Sequence, residues 1–164
     1  MTGSSSSRAS SSTPTVVAVN EQTEIEIDTQ RWARLAADSL VAQGVTNGEM
    51  NLLFIDESEM RQLNLDHMNK DRPTDVLSFP LDGNDTDQSV DIFIGDIVVC
   101  PAYAERQADE HRGELSHDGS LNDELALLVV HGVLHVLGWD HEEPVEAGKM
   151  SAAEQALLSA HYRS

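Results

Sequence analysis

The sequence predicts an α+β fold in which a mixed sheet of about four strands carries helices on its face. Three observations lead to this prediction. Strand-like and helix-like segments alternate in the first part of the chain, which favours a βαβ unit. Two later strand-like segments flank one polar loop, which predicts an antiparallel pair. The C-terminal part is helical in pattern, and 164 residues are enough for one domain with its own core.

The first predicted elements are two strands and a helix. Residues 16–19 are apolar, and residues 24–27 (Glu-Ile-Glu-Ile) alternate strictly between polar and apolar, so both segments are predicted to be strands. A helix is predicted over about 30–43, with Asp28 or Thr29 as its N-cap and its apolar residues on one face.

The middle of the chain contains three further predicted strands and one helix. Residues 51–55 form a short apolar run, and Asp56 then resembles the cap of a helix that ends near residue 67. Residues 75–79 and 91–99 are predicted to be strands, with the polar segment 81–90 as the loop between them.

Three helices are predicted in the C-terminal part. Pro101 suits the first position of a helix that ends near residue 111, and residues 111–120 are predicted to be a loop. Ser120 is expected to cap a helix that ends near residue 137, and Pro144 is expected to open the last helix.

The charge of the chain is strongly negative. It has 29 acidic and 10 basic residues, which gives a formal net charge of −19. A protein that binds nucleic acid through a broad basic face is expected to be basic, because neutralisation of phosphates drives that binding. The acidity therefore argues against this class of protein, and leaves only a local feature through which nucleic acid could be contacted.

Several bulk features predict a cytoplasmic protein without membrane contact. Cys100 is the single cysteine, so an intrachain disulfide is excluded. No apolar run approaches the roughly 20 residues of a membrane helix, and the N-terminus lacks the apolar region of a secretory signal. Residues 1–14 are rich in serine and are predicted to be a disordered tail, followed by one domain over 15–164.

The most informative segment is a histidine motif near the end of the predicted helix 121–137. His131 and His135 are four residues apart, so their side chains lie on one helix face, one turn apart. Gly138 permits a sharp turn that can bring His141 to the same metal ion. Three imidazoles leave a fourth position for water, as in catalytic zinc sites. The motif therefore predicts one zinc ion, although nickel, copper and iron are chemically compatible with the same ligands.

One position in the motif argues against peptidase activity. The spacing of the three histidines equals that of metzincin peptidases, which carry a glutamate directly after the first histidine. That glutamate is the general base in those enzymes, and Gly132 occupies its position here. The chemistry must therefore differ, or the base must come from another part of the chain.

The histidine motif occurs together with two other motifs of one family. In order and spacing, the segments 73–80 (Pro-Thr-Asp-Val-Leu-Ser-Phe-Pro), 95–98 and 131–141 resemble the bacterial rRNA maturation factor family YbeY, which comprises metal-dependent single-strand endoribonucleases. The resemblance implies a zincin-like fold in which His131, His135 and His141 bind zinc. It also implies processing of ribosomal RNA, notably the 3′ end of the small-subunit 16S rRNA, and ribosome quality control. The implied partners are single-stranded rRNA, ribosomal particles and ribosome-associated proteins.

The chain departs from the family at one loop position. Met68 stands where the family often has an arginine that is thought to serve the active site. Lys70 or Arg72 could instead supply positive charge at a scissile phosphate, and solvated loop charges are the alternative interpretation. Ser78, on the strand 75–79, could bind RNA through its hydroxyl, and a bond to neighbouring backbone is the favoured alternative.

Two other functions remain as alternatives. The global acidity favours a metal-dependent hydrolase of a small-molecule ester, and Met68 favours a non-enzymatic, zinc-containing ribosome assembly factor. Among the remaining residues, Cys100 and Trp139 are predicted to pack in the interior, and Asp140 is predicted to stabilise a turn. The other histidines lack metal-site spacing and are predicted to lie on the surface: His67, His111, His117 and His161.

Overall fold

The computed structural model describes residues 13–80, 92–140 and 142–163. Most of the predicted tail and the predicted loop 81–90 therefore lie outside the described residues. The strands are β1 (Thr15–Asn20), β2 (Glu49–Phe54), β3 (Val76–Pro80) and β4 (Phe93–Val99). The helices are α1 (Thr29–Ala42), α2 (Glu57–Met68), α3 (Pro101–Ala108), α4 (Leu121–Val136) and α5 (Pro144–His161).

The four strands form one mixed sheet in the order β1-β2-β4-β3. β1 pairs with β2 and β2 with β4 in parallel, while β3 and β4 are antiparallel. The parallel pair β1 and β2 is joined through α1, as a βαβ unit requires. The predicted α+β class, the mixed sheet and the antiparallel pair are therefore confirmed.

The predicted strand at 24–27 is wrong, and the reason is the side chain of Gln22. Its amide oxygen accepts hydrogen bonds from the backbone N–H groups of Glu24 (3.0 Å) and Ile25 (2.9 Å), and its amide nitrogen donates to the Ile25 carbonyl (2.7 Å). Backbone groups that would pair in a sheet are bonded to this buried side chain instead. The alternation still places Ile25 and Ile27 inward, but in an irregular segment.

Side-chain caps fix where the main helices begin. Asp28 caps α1, Asp56 caps α2 and Ser120 caps α4, and in each case a side-chain oxygen accepts from a backbone N–H three residues later. These bonds satisfy N–H groups that have no partner within a helix. Pro101 and Pro144 open α3 and α5 as predicted.

α4 is the central helix of the fold. It packs against α1, α3 and α5 and against strands β3 and β4. Its apolar residues join those of α1 and the sheet in the main core, whose largest fully buried side chains include Trp32, Leu40, Phe54, Ile97 and Leu134. No helix in the described part of the chain has both the length and the apolar character needed to cross a membrane.

Candidate metal centre

His131 and His135 lie one turn apart on α4, as their spacing predicts. Their ring centroids are 6.2 Å apart, the ring planes are inclined by 29°, and both residues are partly buried. Two imidazoles on one helix face can approach one metal ion. The predicted third ligand, His141, lies outside the described residues.

The chain turns sharply after α4, which is what the third ligand would require. Gly138 has φ +102°, and its N–H donates to the His135 carbonyl (3.0 Å). The Trp139 N–H donates to the Leu134 carbonyl (3.0 Å), which completes a Schellman motif. Asp140 then accepts a bond from the Glu142 N–H (3.0 Å), so its predicted role in a turn is confirmed.

Gly132 faces the sheet at very close range, and this explains why no glutamate follows His131. A Cβ atom at this position would lie 2.8 Å from Ile97 Cγ2 on β4, closer than side-chain carbons pack. Any side chain at 132 would therefore force either the Ile97 side chain or α4 to shift. The close contact between helix and strand excludes the metzincin base.

Glu154 contacts His131, a contact that the sequence pattern did not predict. Its Oε2 atom lies 2.5 Å from His131 Nδ1, and its side chain is 12% exposed. Glu154 belongs to the buried face of α5 together with Met150, Leu157 and Leu158. A charged residue at helical spacing on an apolar face is the signal that could have identified it.

A second group of ligand-type residues surrounds the start of α4. Glu124 is fully buried, and its Oε1 atom is 2.7 Å from His111 Nδ1 and 3.0 Å from His117 Nε2. These three side chains lie close enough together to hold a metal ion. His117 is 6% exposed, so the prediction that it lies on the surface is wrong, whereas His111 is only partly buried.

The proton positions in this second group follow from a backbone contact. The Gly119 N–H donates to His117 Nδ1 (2.9 Å), so Nδ1 carries no proton and Nε2–H donates to Glu124. The hydrogen bond from His111 to Glu124 raises the pKa of His111. Glu124 Oε2 is buried and accepts no hydrogen bond from any described residue.

Ser78 lies on the face of the sheet that α4 covers. It pairs in register with Ile97, and directly paired residues share a face. Ile97 contacts α4 at Gly132, so Ser78 points to the same side. Its catalytic role remains a prediction.

Lys70 and Arg72 lie on the loop between α2 and β3, and both are exposed. Asn64, which is buried, donates from its amide to the Arg72 carbonyl (2.9 Å) and so fixes the loop backbone. Among the described residues, no carboxylate pairs with either cationic group. Their catalytic roles also remain predictions.

The predicted interior residues are confirmed. Cys100 is fully buried, and burial raises the pKa of its thiol to about 11, which makes it an unreactive core residue. Trp139 packs against the core and donates from its indole N–H to Gln43 Oε1 (3.1 Å). His67 and His161 are exposed, as predicted.

Comparison with known proteins identifies one family. The sequence model of the family described as "Endoribonuclease YbeY" matches residues 17–162. A protein of that name from Thermobifida fusca is 40% identical over 151 residues, covering 89% of this chain and 94% of that protein. One from Leifsonia xyli is 37% identical over 147 residues, covering 87% and 92%. The solution structure of a Thermotoga maritima protein matches with a TM-score of 0.56 at 25% identity, covering 88% of this chain and 90% of that one.

Proposed function

The chain belongs to the YbeY endoribonuclease family, and on this premise we propose that it is a zinc-dependent endoribonuclease that cuts single-stranded ribosomal RNA. The observation that carries the proposal is the family match over residues 17–162. This range contains all of α4, the histidine helix that carries His131 and His135. Within the family setting, the reaction is hydrolysis of a phosphodiester bond in the maturation of the 16S rRNA 3′ end and in ribosome quality control. The setting is the cytoplasm, where ribosomes are assembled.

The proposed metal ligands are His131, His135 and His141. The arrangement of His131 and His135 supports this assignment, because both rings lie on one face of α4 and a sharp turn follows. Zinc is the proposed ion, since three imidazoles suit it. When bound, zinc supplies Lewis acidity at a phosphoryl oxygen and lowers the pKa of a water molecule.

The proposed roles of the protein groups follow from their positions. Ser78, on the α4 face of the sheet, donates a hydrogen bond to the RNA backbone. Lys70 and Arg72, whose exposed cations have no carboxylate partner among the described residues, stabilise negative charge at the scissile phosphate. Gly132 provides no proton acceptor, so the general base belongs to another residue or to the substrate.

The net charge of −19 bears on how the RNA is held. A strongly acidic protein repels phosphates over most of its surface, so it gains little from non-specific ionic contact. We therefore assign the ribosomal particle as the partner that presents the RNA strand. The isolated protein should bind arbitrary RNA weakly at physiological salt.

The decisive test compares wild type with His135→Ala. We expect zinc-loaded wild type to cut precursor 16S rRNA in small-subunit particles, and the variant to lose about 10³-fold in rate, because the metal contributes several kcal/mol. The matched control is His161→Ala, since His161 is exposed on α5. The measurement is mapping of the rRNA 3′ ends.

Other outcomes of this test would favour the alternatives. If wild type holds stoichiometric zinc and cuts no RNA, the endoribonuclease assignment fails. Growth and rRNA 3′ ends that are normal in cells with only His135→Ala would indicate a non-enzymatic assembly factor. Turnover of a small ester that added RNA does not inhibit would indicate a small-molecule hydrolase.

A further inference from the structure

The contact between α5 and the histidine helix has an unusual composition. Glu154 lies between Met150 and Leu157 on the buried face of α5, and its carboxylate meets α4 at His131. In the described part of the chain, His131 is the only basic residue within 4 Å of this carboxylate. An apolar residue would fill the same space without the cost of removing a charge from water.

The contact between the Glu154 carboxylate and the His131 imidazole fixes the position of a proton. An ionised carboxylate only accepts hydrogen bonds, so the ring nitrogen that faces it must donate. His131 therefore carries its proton on Nδ1 when the ring is neutral. Nε2 is then the nitrogen with the lone pair, and it is the atom that can bind a metal ion.

We propose that Glu154 is a positioning residue that holds His131 in the Nδ1–H tautomer and fixes the direction in which Nε2 points. The inference rests on the proposed metal site and adds a residue to it from a different helix. The carboxylate stabilises the ring in the orientation and tautomer that binding requires, and it makes the ring nitrogen a stronger donor to the metal ion.

The buried Glu124 provides an internal control. It is also a buried glutamate bonded to histidine, but it contacts His111 and His117 at the other end of α4. If Glu154 acts only through packing, replacing either glutamate should change zinc affinity in proportion to lost stability. If Glu154 positions His131, only replacement of Glu154 should change the zinc affinity.

The experiment uses the full chain with Glu154→Leu, Glu154→Gln, Glu124→Gln and His131→Ala. Zinc affinity is measured by competition with a chromophoric chelator, and thermal unfolding confirms that each variant is folded. The tautomer of His131 is measured by ¹⁵N NMR on zinc-free protein, at a pH where the ring is neutral. This second readout does not depend on metal binding.

We expect Glu154→Leu to shift His131 towards the Nε2–H tautomer and to weaken zinc binding by about 10- to 100-fold. Glu154→Gln should fall between wild type and the leucine variant, since an amide oxygen can still accept the bond. Glu124→Gln should keep the wild-type tautomer and zinc affinity.

Two results would overturn the proposal. One is a leucine variant that keeps both the wild-type tautomer and wild-type zinc affinity. The other is an equal loss of zinc affinity in Glu124→Gln. By contrast, zinc binding that is unchanged in His131→Ala would overturn the metal site itself, and the tautomer measurement would still decide whether Glu154 orients the ring.

Discussion

The two ends of α4 each carry a glutamate hydrogen-bonded to histidine. In one group α4 supplies the glutamate, and in the other it supplies the histidine. At the start of the helix, Glu124 comes from α4 and its histidines come from the preceding segment. At the end, His131 comes from α4 and Glu154 comes from α5. In both groups a buried carboxylate accepts a bond from an imidazole.

The difference between them lies in the second nitrogen of each ring. His117 uses Nε2 for Glu124 and Nδ1 for the Gly119 amide, so both nitrogens have protein partners. His131 uses Nδ1 for Glu154, and its ring lies on the same face of α4 as that of His135, so Nε2 is the nitrogen that we propose binds the metal ion. Residue types alone would make both groups metal sites, but the backbone contact makes the Glu124 group a closed hydrogen-bonded structure. We therefore expect the two groups to respond differently to substitution.

The largest stability effect should come from Glu124→Gln. The substitution removes a carboxylate that two histidines share and places an amide N–H₂ at the buried Oε2 position, which has no hydrogen-bond partner among the described residues. We expect the free energy of unfolding to fall by about 2 kcal/mol. Denaturant unfolding of the zinc-free protein measures it, with the exposed Glu114→Gln as the matched control. A stability equal to that of the control would show that the cluster does not anchor the segment before α4.

An intermediate effect is expected for Gly132→Ala, which lies directly after His131. The added methyl group would overlap with Ile97, and the gain in helix propensity offsets only part of the strain. The net loss should be about 1 kcal/mol in the free energy of unfolding. A double-mutant cycle with Ile97→Ala tests the cause, because the alanine at 132 should cost less when Ile97 is shortened. If the effects of Gly132→Ala and Ile97→Ala on the free energy of unfolding simply add, the close contact is contradicted.

The smallest effect is a pH dependence of stability that comes from the Glu124 group. The pKa of His111 is raised above 6.5 in the folded protein by its bond to Glu124. The contribution of His111 to the free energy of unfolding is therefore complete below pH 6.5, and it is lost as the pH rises through the raised pKa of His111. The difference in unfolding midpoint between wild type and His111→Gln, both zinc-free, should shrink over that range. A difference that grows with pH would contradict the assignment.

Features coded by neighbouring residues could be predicted from the sequence. The caps at Asp28, Asp56 and Ser120, the turn at Gly138 and the helical pairing of His131 with His135 all depend on residues a few positions apart. The strand predicted at 24–27 failed because the side chain of Gln22 competes for the backbone.

The contacts that could not be predicted from the sequence join different structural elements. His131 and Glu154 are separated by 23 residues, and His117 meets Glu124 across the cap of α4. No periodic pattern links such pairs, because the packing of two elements brings them together. The position of Glu154 on the apolar face of α5 indicates a buried contact, but the sequence does not show that the contact is with His131.

The position of Trp139 makes the end of α4 accessible to optical spectroscopy. The chain has two tryptophans, and Trp32 is buried in the core beside Tyr162. Trp139 is partly buried, is hydrogen-bonded to Gln43 and is two residues before the proposed ligand His141. With Trp32 replaced by phenylalanine, the remaining indole emission would come from the turn that follows the histidine helix. Metal loading could then be followed in real time, without a label and without RNA.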